Sequence, residues 1–110
     1  MKQICITSAV RTAVGSFNKT LKNVSSIELG SEVILNAIKK IKIKDMNEID
    51  EVIMGQVLTA GIGQNPARQS AIKSGIPKEK PAYVVNQVCG SGIRSIVSGF
   101  QSIISGDSKI

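Results

Sequence analysis

The stretch Asn86-Gln87-Val88-Cys89-Gly90-Ser91-Gly92 joins a run that reads as a buried strand, Ala82 to Val88, to one that reads as a helix ending at Ser105 before Gly106. Cys89 stands at the joint. A helix N-terminus offers unpaired N–H groups and the positive end of the helix dipole. Such a setting favours the thiolate, which is the nucleophilic form of cysteine. Gly90 and Gly92 keep bulk away from the sulfur, so a carbonyl has room to approach. The Cys89 N–H, or a neighbouring one, can face the oxygen of that carbonyl as it gains charge. The same residues also read as a small buried cysteine in a glycine-containing turn.

Outward from this joint, the chain alternates strand-like and helix-like runs. Gln3 to Ser8 reads as a buried first strand, and Val10 to Val24 as a long loop. Ser25-Ser26-Ile27-Glu28 has the form of a capping box. Ile27, Gly30, Ile34, Ala37, Ile38 and Ile41 then recur at helical spacing, predicting a helix that ends near Lys42 to Asp45. Val52 to Leu58 reads as the second strand. Gly55 within it predicts a bulge or a close backbone approach. Asn65-Pro66 starts a short helix that Gly75 stops. In the last helix, Ile93, Val97, Phe100 and Ile104 form an apolar stripe, and Gly92, Ser95, Gly99, Ser102 and Gly106 a stripe of small residues. Arg94 is its only charge, so the helix is expected to be largely buried. Strand–helix–strand units of this kind predict an α/β chain with a mostly parallel sheet and right-handed crossovers.

Composition narrows the function classes. The 110 residues are 42% apolar, which suits a folded domain or a piece of one. Net charge is +6, with Lys39, Lys40, Lys42 and Lys44 near one helix end. A nucleic-acid groove would need arginine and stacking aromatics. The chain has three arginines and one tyrosine, so those lysines read as a solvated helix C-terminus and no nucleic acid is expected. No apolar run approaches a membrane span. Cys5 reads as a core residue, and two cysteines in a reducing cytoplasm need no disulfide. There is no histidine, which removes a Cys–His dyad, histidine metal sites and with them any expected metal. Gly90-Ser91-Gly92-Ile93-Arg94-Ser95 has Ser where a dinucleotide fingerprint needs its third Gly or Ala, and no acidic residue follows at the required distance.

Four blocks carry a resemblance to the thiolase family. They are Ser8-Ala9-Val10-Arg11-Thr12-Ala13-Val14-Gly15-Ser16-Phe17; Asp50-Glu51-Val52-Ile53-Met54-Gly55; Gly61-Ile62-Gly63-Gln64-Asn65-Pro66-Ala67-Arg68-Gln69; and Val88-Cys89-Gly90-Ser91-Gly92. Their order and spacing run the length of the chain. The last block resembles the acetoacetyl-CoA-forming branch more than the fatty-acid-degrading branch. The resemblance implies a layered αβαβα fold of two similar halves. Residues 1–110 would be a partial N-terminal domain, holding the first strand–helix units of the N-terminal half.

What the resemblance implies for function is an acyltransferase that joins two acetyl-CoA molecules into acetoacetyl-CoA and free CoA, or runs the reverse thiolysis. Cys89 maps onto the acyl-accepting nucleophile, its N–H onto an oxyanion-hole donor, and Gly90 and Gly92 onto supporting positions. Coenzyme A enters as part of the substrate, and no cofactor is implied. The family's activating histidine, second cysteine, asparagine-bound water and CoA-holding loop have no counterpart here, so the isolated chain is expected to show no turnover. The family forms homo-oligomers, dimers or tetramers, with its third strand paired across a dimer axis. Tyr83, Val84, Val85 and Asn86 are therefore the expected edge. Gln64, Asn65 and Arg68 would lie near that interface, or would serve helix capping and surface hydrogen bonds. Two rival readings are a ketoacyl synthase-like condensing enzyme and an inactive module that only associates. An uncovered helix and an unpaired first strand also predict aggregation or molten behaviour unless a partner covers them.

Overall fold

The computed structural model describes residues 3–110. Its first element follows from the capping box: the Ser25 hydroxyl accepts the Glu28 N–H at 3.1 Å, and the Glu28 carboxylate accepts the Ser25 N–H at 2.8 Å. This satisfies two of the donors that every helix start leaves unpaired. Helix α1 (Ser26–Lys40) follows, with Lys39 and Lys40 in its last turn, where the dipole favours cations. After a single 3-10 turn (Met46–Glu48), strand β1 (Val52–Gly55) leads to helix α2 (Pro66–Lys73). Strand β2 (Ala82–Val85) and helix α3 (Ser91–Ser105) complete the order.

β1 and β2 are parallel neighbours, with Val52 opposite Ala82 and Gly55 opposite Val85. α2 supplies the crossover that a parallel pair requires. α1 packs on α2, where the Ser70 hydroxyl donates to the Ile27 carbonyl at 3.2 Å. The core lies between these helices and the sheet. Ile38, Ile49, Val52, Ala71 and Ile76 form its buried centre, flanked by Ile34, Ile43, Met46, Met54 and Ala82. α3 packs chiefly against β1. Gly75 and Gly106 adopt left-handed φ values of 92° and 91°, which explains why α2 and α3 stop before them.

Several expectations are corrected. Gln3 to Ser8 forms no strand: a strand exists only by pairing, and among the described residues only β1 and β2 pair into a sheet. Cys5 is exposed rather than in the core, because it belongs to that unpaired segment. The other two strands are shorter than the apolar runs that encode them, since pairing ends at Gly55 and Val85. α3 is not buried. Of its residues only Ser91 is, while Ile93 is 73% exposed, Phe100 48% and Ile104 46%. The apolar stripe exists as read, but nothing among the described residues covers it. Around Gly92 and Gly99 an added Cβ would meet nothing within 4 Å. No helix among the described residues is long and apolar enough to cross a membrane.

Candidate active site

Strand β2 ends at Val85 and α3 begins at Ser91, so Cys89 sits in the turn between them, exposed, just before the helix cap Gly90. The turn is built by hydrogen bonds within it and one to the segment after β1. Asn86 accepts the Val88 N–H through Oδ1 at 2.9 Å, and its amide donates to the Val57 carbonyl at 3.3 Å. The Gly90 N–H donates to the Gln87 carbonyl at 3.0 Å, and the Ser91 N–H to the Val88 carbonyl at 3.1 Å. The Ser91 hydroxyl does two things at once. It accepts the Gln87 N–H at 2.9 Å and donates to the Val88 carbonyl at 2.6 Å.

Val88, next to the thiol, has φ 49°. A β-branched residue in the left-handed region is a genuine outlier, and such strain costs of order 1–3 kcal/mol. It persists because the surrounding bonds hold the backbone on both sides. Cys89 itself is drawn back towards the end of the strand run by a parallel bridge with Gln87. β1 fixes the other flank. A Cβ on Gly55 would lie 2.4 Å from the Ser91 carbonyl carbon, which shows how tightly the end of β1 presses on the first turn of α3. The expected close backbone approach at Gly55 is thus present.

The remaining site residues divide into two groups. Gly90 caps α3 in a right-handed conformation, and a Cβ there would stand 3.3 Å from the Gln87 carbonyl. Gly92 lies in the first turn of α3 with open space around it. Tyr83, Val84 and Val85 line β2, with Asn86 immediately after them. Apart from these, Asn65 caps α2: its side chain accepts the Arg68 N–H at 3.1 Å and donates to the Ala82 carbonyl at 2.8 Å. The Gln64 carbonyl accepts the Gln69 side chain at 2.9 Å. Asn65 is therefore tied to the first residue of β2, whereas Cys89 follows the last, and the structure does not bring the two together.

Among the described residues no cluster of acidic and cysteine side chains suits a metal ion. An apolar groove of about 670 Å³ reaches Gly55 and Gly92 and is lined by the N-terminal segment, α1, β1 and α3, among them Ile6, Val10, Ile34, Ile53 and Ile96. Cys89 does not line it, so the thiol opens onto a surface rather than into that groove. Two features escaped the sequence reading. The motif assigns Ser91 no role, although a serine opening a helix is a signal for side chain-to-backbone bonding. The left-handed Val88 had no signal at all, since valine is among the residues least suited to it.

Comparison with known proteins bears on the same segment. Residues 4–110 match the family model described as "Thiolase, N-terminal domain". The chain is 51% identical over 107 residues to an acetyl-CoA acetyltransferase of Rhizobium meliloti, covering 97% of this chain and 27% of the relative. It is 51% identical over 109 residues to an acetyl-CoA acetyltransferase of Escherichia coli, covering 99% and 27%. A crystal structure of Acat5 thiolase from Ascaris suum in complex with coenzyme A superposes with a TM-score of 0.87 at 44% identity, over 90% of this chain and 26% of that one. The chain thus spans about a quarter of the length of these proteins.

Proposed function

The chain belongs to the thiolase family, and on that footing we propose that Cys89 is the acyl-accepting nucleophile of an acetyl-CoA acetyltransferase. The observation that carries the reading is the exposed thiol in the constrained turn leading into α3. In the proposed reaction the Cys89 sulfur attacks the carbonyl carbon of an acetyl-CoA thioester. The Cys89 N–H stabilises the oxyanion that forms, and the CoA thiolate leaves. The acetyl group is then held as a thioester on Cys89. A second acetyl-CoA loses an α-proton, which balances the CoA thiolate already released and leaves it as the CoA thiol; the carbanion attacks the acetyl carbonyl, and Cys89 departs as a thiolate, giving acetoacetyl-CoA.

This chain offers no histidine to accept the thiol proton, and Cys89 does not line the apolar groove. The half-reaction that loads Cys89 is therefore proposed to be slow, and turnover absent, in the chain by itself. Losing the partners of a catalytic group costs several powers of ten in rate. Incubation with acetyl-CoA, followed by peptide mass spectrometry, tests the loading step. Acetyl is expected on Cys89 well before Cys5, and equal labelling of the two thiols would refute the assignment. Native-like thiolysis of acetoacetyl-CoA by the chain would refute the expected lack of turnover. The substrate is proposed to need no cofactor beyond the CoA it carries, and the chain to work in a reducing, cytoplasmic setting.

A second reading, an associating module without chemistry, is favoured by the uncovered stripe of α3 and by β2, whose side away from β1 has no strand partner among the described residues. The edge Tyr83 to Asn86 is the proposed contact between copies in either reading. Labelling of Cys89 decides between the two.

A further inference from the structure

We infer that Ser91 is a positioning residue for the nucleophile: its hydroxyl holds Val88 in the left-handed conformation that sets the peptide leading into Cys89. The inference rests on the proposed role of Cys89 and adds the part that orients it. Three observations carry it. The Ser91 side chain is buried, 4% exposed, one turn from an exposed thiol. Its hydroxyl has both a donor and an acceptor bond, and both go to the two residues just before Cys89 rather than to the helix it opens. Its own backbone is pinned from the far side by Gly55. Ser91 therefore connects a fixed point on β1 to the strained peptide beside the nucleophile.

The physical consequence is specific. Val88 has no reason of its own to stay at φ 49°. Without the hydroxyl, the Gln87 N–H loses its acceptor and the Val88 carbonyl loses one of its two bonds. Only the Asn86 side chain and the Ser91 N–H then hold Val88, which becomes free to relax towards ordinary β or right-handed backbone. That relaxation rotates the Val88–Cys89 peptide plane and swings the Cys89 N–H away, while leaving the sulfur exposed. Attack on a carbonyl needs that N–H, because an oxyanion forms. Displacement of iodide from iodoacetamide at its CH2 carbon does not, since the sulfur takes the carbon and iodide leaves with its electron pair.

The test uses the ratio of the two rates at Cys89, acetylation by acetyl-CoA over alkylation by iodoacetamide, measured on the 110-residue chain. Ser91→Ala is expected to lower the ratio about ten-fold or more, through acetylation alone. Ser91→Thr, which keeps the hydroxyl, is expected to restore it. Val88→Asn combined with Ser91→Ala is expected to recover much of the loss, because asparagine tolerates the left-handed region that valine resists. Ser74→Ala removes another buried serine bond, to the Ala71 carbonyl, and is expected to leave the ratio alone. An unchanged ratio in Ser91→Ala overturns the inference while leaving the Cys89 assignment standing. A parallel fall of both rates overturns it too, by showing a purely structural role. Should Ser91→Ala not fold, a low ratio in Ser91→Thr overturns it. If Cys89 in the parent chain acetylates no faster than Cys5, the assignment of the nucleophile fails, and the positioning role falls with it.

Discussion

Replacing Gly55 by alanine is the sharpest probe of how β1 supports the nucleophile turn. The added Cβ would lie 2.4 Å from the Ser91 carbonyl carbon, 2.5 Å from its oxygen and 2.7 Å from the Gly92 nitrogen. These are backbone atoms, so no rotamer change relieves the clash. Ordinary contact begins near 3.4 Å, and the first turn of α3 must retreat from β1 by about 1 Å. Overpacking of this kind typically costs about 1–3 kcal/mol. A misplacement of about 1 Å at reacting groups can cost roughly a hundred-fold in rate. Gly55→Ala is therefore expected to lower the urea-unfolding midpoint, followed by circular dichroism, and to slow acetylation of Cys89 by one to two powers of ten, or roughly that range. Gly30→Ala is the matched comparison. Its Cβ meets the Ser70 hydroxyl at 2.6 Å and the Met54 methyl at 2.8 Å, both side-chain ends. It is expected to lose stability without touching acetylation. If Gly55→Ala kept both its midpoint and its acetylation rate, the tight seat of α3 on β1 would be refuted, and with it the account of how the turn is held.

Gly92→Ala is expected to stabilise α3 by up to about 1 kcal/mol, because alanine is the better helix former and no atom lies near the new Cβ; thermal melting measures it. Asn65→Ala removes the cap of α2 and its bond to Ala82, and a loss of about 0.5–2 kcal/mol is expected in the same melt. Acid unfolding tests the carboxylates. Backbone hydrogen bonds, from Ser25 to Glu28 and from Lys109 and Ile110 to Asp50, hold both groups below their ordinary values. A depressed folded value means stability that is present above the unfolded value, near pH 4, and lost as pH falls through the folded one. Helix content should therefore fall on acidification below about pH 4, and Glu28→Gln, which keeps the capping acceptor, should flatten that dependence. A pH titration by circular dichroism reads both.

Local signals were legible where the physics is local. The capping box at Ser25 and Glu28, the Asn65-Pro66 start and the Gly75 and Gly106 stops all rest on bonds between near neighbours, and each stands where the sequence put it. Cys89 at the strand-to-helix joint was readable for the same reason. The family's motif added what spacing alone left open between a nucleophile and a buried thiol. The failures are non-local. Whether Gln3 to Ser8 is a strand depends on a partner, and whether Ile93 or Phe100 is buried depends on a covering layer, so neither is written in the residues themselves. The role of Ser91 and the twist at Val88 emerge only when the turn closes, since both are properties of a hydrogen-bond circuit rather than of a residue type.

The uncovered stripe of α3 also sets how this chain behaves in bulk solution. Mutual repulsion from six surplus positive charges keeps copies apart, and its reach is the Debye length, about 10 Å at 0.1 M salt and about 3 Å at 1 M. Raising ionic strength silences that repulsion while leaving the attraction between oily helices intact. Colloidal stability should therefore decline with added sodium chloride, and dilute buffers should be the gentler ones for handling it.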